Sequence, residues 1–412
     1  MADDPLKILF ASTHGLIDPS SGAALCTRDM LELLAGAGHD CRSITTGVLD
    51  YESPASLADV LAAEGHNDPP ADARLSDGRG VLIHDVFLNG VRVTMVPTRE
   101  SRAHLAPEPA EAAAWLDLAT QALDRFRPDV LLTYGGHPAN LELMRRARQR
   151  GVAVVFHLHN LAYDDLRAFE HASTILFPSH ATRRHYRDRL GIDGPVIADP
   201  LRPERVVAAE PAPRYVTFVN PQPVKGVTVF ARIALALHER RPEIPLLVVE
   251  GRGNSDWLAR LPVDLSGLRN LNRMANTTEP RDFWKVTRVV LMPSLWRETL
   301  GRVAMEGLAN GVPVLASDRG ALPETLDDAG FVFTIPEQFT PENAALPSTR
   351  DVAPWVAVIE KLWDDPTFEA RHQALARRHA ERWKPEATVQ AFETLFHSLR
   401  SGGKPPPGKE PT

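Results

Sequence analysis

The sequence predicts an α/β protein built from two parallel-sheet domains, and three observations predict it. Short apolar runs rich in branched residues alternate with stretches of helical periodicity, the pattern of strands crossed over by helices. That alternation breaks at the proline- and charge-rich segment 198–215 and then restarts. The chain, at 412 residues, also exceeds one ordinary core, since a domain usually takes about 100 to 200 residues.

The elements follow in order. LKILFAST is a strand stopped by His14-Gly15, and after a polar turn at residues 19–22 AALCTRDMLELLAGAGH reads as a helix. Residues 66–79, rich in proline and aspartate, read as a mobile surface loop, and GVLIHDVFLNGVRVTMVPT as a hairpin turning at Asn89-Gly90. DVLLTYGG (129–136), the helix NLELMRRARQRG and VAVVFHLHN (152–160) continue the alternation. Beyond the break come YVTFVN, the helix TVFARIALALHERR, PLLVVEG, VVLMPS, the helix RVAMEGLANG and VPVLAS, with further helix over 366–399. The expected domains are 1–200 and 201–382, followed by a C-terminal helix at 383–400 packing back on the first domain. A disordered proline- and glycine-rich tail is expected at 401–412. Two such sheets facing one another form a cleft lined by the carboxyl ends of their strands.

Composition narrows the function. Hydrophobic residues at 43% and charged residues at 24% exclude a disordered, collagen-like or coiled-coil chain. No run approaches the roughly 18 apolar residues of a membrane span, and MADDPLKILF reads as neither signal peptide nor anchor. Cys26 and Cys41 form no CxxC pair, which fits a reducing cytoplasm. The net charge of −7, with its acid excess in the first half, argues against nucleic acid as a partner. The basic runs at 145–150 and 183–189 read as solvated helix faces.

The densest chemical signal is Pro293-Ser294-Leu295-Trp296-Arg297-Glu298-Thr299-Leu300-Gly301-Arg302-Val303-Ala304-Met305-Glu306-Gly307. A strand runs into a turn carrying Glu298, and a helix opens near Thr299, Leu300 and Gly301. Its unpaired amides suit a phosphate. Eight residues at helical rise would put Glu298 and Glu306 roughly 12 Å apart, comparable to the span from sugar to ribose across a nucleotide-sugar diphosphate. Lys225, at the end of the second domain's first strand, is a counter-charge for a leaving diphosphate. Arg252, in the turn Glu250-Gly251-Arg252-Gly253, is a second candidate cation. In the first domain His157 and His159 share a strand face; His159 lies nearer the cleft and His157 is expected to pack in the sheet. Gly22, after Ser20-Ser21, lets backbone amides approach an anion or sugar and equally serves a helix N-cap. His14 and Asp18 lie in the same loop.

The Glu298–Glu306 run, with the following Gly311-Val312-Pro313-Val314 strand, resembles the E-x7-E donor signature of retaining family 4 glycosyltransferases, the group 1 transferases of GT-B fold. Pro221-Gln222-Pro223-Val224-Lys225-Gly226 resembles that family's R-L-x-x-x-K-G element, with Asn220 in the arginine position. Phe156-His157-Leu158-His159-Asn160-Leu161-Ala162-Tyr163 resembles a segment of glycogen and starch synthases whose histidine lies beside the reacting sugar, and Gly22 falls in the family's glycine loop. The resemblance implies a GT-B architecture of two Rossmann-like domains facing across a cleft. It also implies a retaining hexosyl transfer from a nucleoside diphosphate sugar to an acceptor hydroxyl. Glu298, Lys225 and His159 would be catalytic. Glu306 would hold the ribose, and Thr299, Leu300, Gly301, Asn220, Gly22 and Arg252 would complete donor binding.

HExxH, paired CxxC, Walker and GxSxG motifs are missing, so the expectation is metal-independent chemistry with no cofactor beyond the sugar nucleotide. The alternatives are a GT-B-type glycoside phosphorylase, disfavoured by the lack of a lysine placed as a pyridoxal phosphate anchor, and a non-catalytic nucleotide-sugar-binding protein.

Overall fold

The structure is a computed structural model, and it describes residues 4–49, 56–99, 106–343 and 345–402. The tail expected at 401–412 falls almost wholly outside the described residues. The chain divides into two compact units, one of residues 1–200 with 385–412 and one of residues 201–384.

Among the described residues the first unit holds eight strands: β1 (Lys7–Ser12), β2 (Asp40–Thr46), β3 (Ala71–Arg74), β4 (Gly80–Leu88), β5 (Val91–Val96), β6 (Val130–Thr133), β7 (Ala153–His157) and β8 (Thr174–Leu176). Their spatial order is β3-β4-β5-β2-β1-β6-β7-β8, parallel from β5 to β8. Strand alternation divides the apolar side chains between two faces. Ile8, Phe10, Leu132 and Val155 join one core with Met30, Leu34, Phe392 and Phe396, from the helices Gly22–Gly36 and Pro385–Arg400. Leu9, Leu131, Val154 and Phe156 join the other with Trp115, Leu123 and Met144.

The hairpin turns at Asn89 and Gly90, with φ of 44° and 90°, the left-handed pair that a two-residue turn between twisted strands requires. The stretch 66–79 differs from the expected loop. Ala71–Arg74 pairs antiparallel with β4 as an edge strand. Its alternation is hidden because most of its residues are exposed, so no apolar face marks it.

The second unit is a six-stranded, wholly parallel sheet: β9 (Tyr215–Val219), β10 (Leu246–Val249), β11 (Leu271–Met274), β12 (Thr287–Met292), β13 (Val314–Ser317) and β14 (Phe331–Phe333). Their order is β11-β10-β9-β12-β13-β14. In order of appearance within the unit this is 3-2-1-4-5-6, the doubly wound Rossmann order, whose direction reverses between β9 and β12. Val216, Phe218, Val289 and Leu291 are buried against the helices Val227–Arg240 and Thr349–Asp364. In open α/β sheets a ligand crevice forms beyond the carboxyl ends of the strands at such a reversal. Lys225 and Glu298 lie in the loops that leave these two strands.

Candidate functional site

In the second unit the loop after β9 and the loop after β12 are locked together. The amides of Leu295 and Trp296 both donate to the Val224 carbonyl at 3.0 Å. Gly226, at φ 82°, lies so close that a Cβ there would sit 1.8 Å from the Pro293 carbonyl oxygen. Only glycine permits both that backbone conformation and that approach. The result is direct contact between two predicted catalytic groups: Lys225 Nζ lies 2.7 Å from Glu298 Oε1, and the Ser294 hydroxyl donates to the same oxygen at 2.9 Å. Lys225 keeps 31% of its side-chain surface and Glu298 11%. The Glu298 backbone is held independently, its carbonyl accepting the Ala321 amide at 2.8 Å. An ammonium and a carboxylate are thereby fixed at the switch point, with the cation the more exposed of the two.

The helix expected from Thr299 to Gly301 begins later, at Arg302, and runs to Ala309. Gly301, at φ 87°, is its N-cap, and that left-handed residue ends the non-helical approach. Only the steps from Arg302 to Glu306 rise helically, so the 12 Å spacing reckoned along one helix does not carry over to Glu298 and Glu306. Glu306 is 5% exposed, and both carboxylate oxygens are engaged, by Arg302 Nε at 2.8 Å and by the Trp284 indole N–H at 3.1 Å. The i, i+4 spacing of Arg302 and Glu306 is a pairing legible in sequence, whereas Ser294 and Trp284 carried no comparable signal.

Asn220 is also explained. Its backbone takes φ 63°, where asparagine is tolerated far better than a longer side chain, and its amide oxygen accepts the Gly253 N–H at 2.7 Å. The turn closed by Gly251 N–H to Gly253 C=O at 3.0 Å carries Arg252. Asn220 thus anchors the turn that carries Arg252.

In the first unit the equivalent reversal lies between β1 and β6. Ser21 caps the helix Gly22–Gly36, its hydroxyl accepting the Ala24 N–H at 3.4 Å. No atom lies within 4 Å of where a Cβ at Gly22 would stand, so the fold does not require glycine there. Asp18 is 1% exposed and accepts hydrogen bonds from the Ser20 amide at 2.8 Å and hydroxyl at 2.7 Å, which ties up an oxygen of this loop acid in the turn.

His159 follows β7 with its side chain 7% exposed, its ring edge-on to Tyr134 at 5.2 Å and Nε2 3.5 Å from the Thr27 hydroxyl. His157, at 1% exposure, packs in the sheet beside Phe392. The two imidazoles stand 4.0 Å apart and share Asp199, which sequence reasoning missed because it lies in the proline-broken stretch without a strand or helix to mark it. Burial, and then the neighbouring His157, push His159 down to about 3 against the partial opposition of Asp199. Burial works to raise the Asp199 carboxyl, yet the imidazoles and the Cys26 thiol outweigh it and hold the acid down to about 2.

Residues 21–198 match the family described as "Glycosyl transferase 4-like domain", and residues 213–365 match "Glycosyl transferases group 1". Among curated proteins, the D-inositol 3-phosphate glycosyltransferase of Rhodococcus erythropolis is 31% identical over 193 residues, 44% of this chain and 41% of that protein. The protein of the same name from Arthrobacter sp. is 27% identical over 217 residues, 50% of this chain and 48% of that protein. The chain thus spans less than half the length of either. A sucrose-phosphate synthase from Thermosynechococcus elongatus superposes over 96% of this chain and 99% of its own, with a TM-score of 0.67 and 16% identity. Anabaena HepE in complex with UDP and glucose covers 95% and 100%, with a TM-score of 0.66 and 16% identity. At such identities the likeness shows the fold alone. The chain has the GT-B fold and is related to the group 1 and 4-like glycosyltransferases.

Proposed function

We propose that this protein transfers a hexose-like sugar from a nucleoside diphosphate sugar to an acceptor hydroxyl, with retention at the anomeric carbon and without a catalytic metal. The observation that carries this reading is the Lys225–Glu298 pair at the switch point of the second unit. The donor diphosphate displaces Glu298 from the lysine and takes the ammonium as counter-charge, which frees the carboxylate to accept bonds from sugar hydroxyls. Arg252 and the first-turn amides of Arg302–Ala309 add to the phosphate site, with Thr299, Leu300 and Gly301 leading the chain into it. Glu306 serves the ribose once it exchanges one of its internal partners.

The bond from the anomeric carbon to the diphosphate oxygen breaks, the acceptor oxygen bonds to that carbon on the same face, and the acceptor proton passes to the departing phosphate oxygen. No protein nucleophile is needed. His159, kept neutral by burial, contributes a dipole toward the sugar rather than a charge that would repel the developing cation. Its assignment comes from the resemblance to starch and glycogen synthases. The first unit holds the acceptor. Nucleic acid has no place in this reading, and the cytoplasm is its proposed location; among the described residues no helix is long and apolar enough to cross a membrane.

The test is a thermal-shift series with UDP, GDP, ADP and TDP, each with and without magnesium, followed by donor turnover. A ligand at 100 times its dissociation constant stabilises by about 2.7 kcal/mol. UDP-glucose is the first donor to try because an Anabaena HepE structure is described as a complex with it, and D-inositol 3-phosphate the first acceptor because of the curated relatives' name. A metal-independent shift with one nucleotide and a retained anomer in the product support the proposal. A shift without turnover of any donor favours the non-catalytic binder, for which the Asn220 replacement speaks. Cleavage of a glycoside by inorganic phosphate, with no turnover of a nucleotide sugar, favours a phosphorylase.

A further inference from the structure

The first unit holds a cluster of metal-ligating side chains, His157, His159 and Asp199, of which the proposed transfer uses only His159. His157 Nε2 lies 3.2 Å from Asp199 Oδ1, and His159 Nδ1 lies 3.8 Å from Asp199 Oδ2. One ligand atom from each of the three residues lies within 4.8 Å of the others. His157 is 1% and Asp199 4% exposed, and neither ring nitrogen of His157 nor Oδ1 of Asp199 makes a hydrogen bond. The 3.2 Å approach is close enough for a charge pair but lacks hydrogen-bond geometry. A buried imidazole with no hydrogen bond at either nitrogen is costly, because buried polar groups are almost always satisfied.

A divalent ion meets that demand. Bonds of 2.0–2.1 Å from nitrogen and carboxylate oxygen to zinc place neighbouring ligand atoms about 3.3 Å apart in a tetrahedron; the observed 3.2 and 3.8 Å run to different oxygens of Asp199, and three donor atoms already within 4.8 Å of one another must draw together by at most about 1.5 Å to share an ion. We propose that His157, His159 and Asp199 form a binding site for a zinc-like first-row divalent cation. Two imidazoles and one carboxylate suit zinc or cobalt, whereas magnesium prefers an all-oxygen shell. Three protein ligands leave a fourth position for water. Cys26, whose thiol bonds to the Asp199 carboxylate, steadies the acid from the helix Gly22–Gly36.

The consequence is inhibitory. An ion on His159 Nδ1 claims the ring assigned to the sugar, so zinc suppresses transfer. That consequence rests on the role proposed for His159; the binding does not.

The experiment loads the full chain, first freed of metal by dialysis against a chelator, with cobalt and with zinc. One cobalt per chain with the visible bands of a four-coordinate ion is expected, displaced by zinc. His157→Gln and Asp199→Asn should each weaken zinc binding by more than about a hundredfold, since losing a ligand costs more than the 10- to 100-fold of losing a supporting group. The group of exposed Asp327 and Asp328 with half-buried His379 has similar spacing and serves as the control, and Asp328→Asn should leave the affinity unchanged. Loss of binding in Asp328→Asn with none in His157→Gln overturns the proposal, as does the lack of stoichiometric binding. X-ray absorption on the zinc-loaded unmutated chain decides the matter even where a variant fails to fold. Two imidazoles in the shell support the site, and one or none overturns it. If zinc binds through two imidazoles yet transfer is unaffected, the site stands and the role of His159 falls.

Discussion

The amide oxygen of Asn220 accepts the Gly253 N–H at 2.7 Å while the Asn220 backbone sits at φ 63°. An arginine at this position therefore disturbs the turn that Asn220 holds. Asn220→Arg loses the hydrogen bond and places a long side chain in the left-handed region, at a cost of about 2 kcal/mol. Asn220→Gly keeps the backbone and loses only the bond, at about 1 kcal/mol. Urea unfolding of the two variants should rank them in that order. Arg252→Ala should leave stability unchanged and weaken binding of the matching nucleoside diphosphate about tenfold, measured by calorimetry.

In the proposed reading Lys225 serves the diphosphate and Glu298 the sugar. Lys225→Ala should weaken diphosphate binding and abolish transfer. Glu298→Gln should bind the free nucleotide normally while lowering kcat by about 10² to 10³, the usual loss for one electrostatic contact to a reacting group. Neither change should shift unfolding by more than about 1 kcal/mol, because the pair is partly solvated. Equal nucleotide affinity in Lys225→Ala and the unmutated chain would remove the lysine from the phosphate site.

Gly226→Ala tests the locking of the two loops. A Cβ 1.8 Å from the Pro293 carbonyl oxygen, at φ 82°, forces the β9 and β12 loops apart. A loss of about 3 kcal/mol in stability is expected together with loss of nucleotide binding. Binding that survives unchanged in this variant would show that the contact does not position Lys225.

Acidification should destabilise the first unit through His159. Its folded value of about 3 lies below the unfolded 6.5, so the unfolded chain takes up the proton first and stability falls as pH drops below 6.5. The full contribution is present above 6.5 and has gone by about pH 3. Between pH 7 and pH 5 the loss is about 2 kcal/mol, absent in His159→Gln, as read from denaturant midpoints. Asp199, depressed to about 2, acts in the same sense but only in stronger acid, below its ordinary carboxylate value.

Several features were legible because they depend on neighbours in the chain. The alternation of apolar runs and helical stretches specified two α/β units, and Asn89-Gly90 specified its own turn, since periodicity and left-handed tolerance belong to the residues themselves. The strand ends before Lys225 and Glu298 were legible as places for a ligand, while the helical spacing reckoned from Glu298 to Glu306 was not, because the helix begins only at Arg302. The edge strand Ala71–Arg74 escaped because an exposed strand has no apolar face to repeat.

The sequence by itself determined the two α/β units and the strand ends at which Lys225, Glu298 and His159 stand. Only the tertiary structure decided what each one touches. Lys225 and Glu298 meet across 73 residues because β9 and β12 are neighbours in the sheet and Gly226 allows their loops to close on each other. Asp199 reaches His157 and His159 from a segment with no periodicity of its own. Strand order and loop closure are set by burying apolar faces over the whole unit, and that long-range term leaves no local signature in the chain.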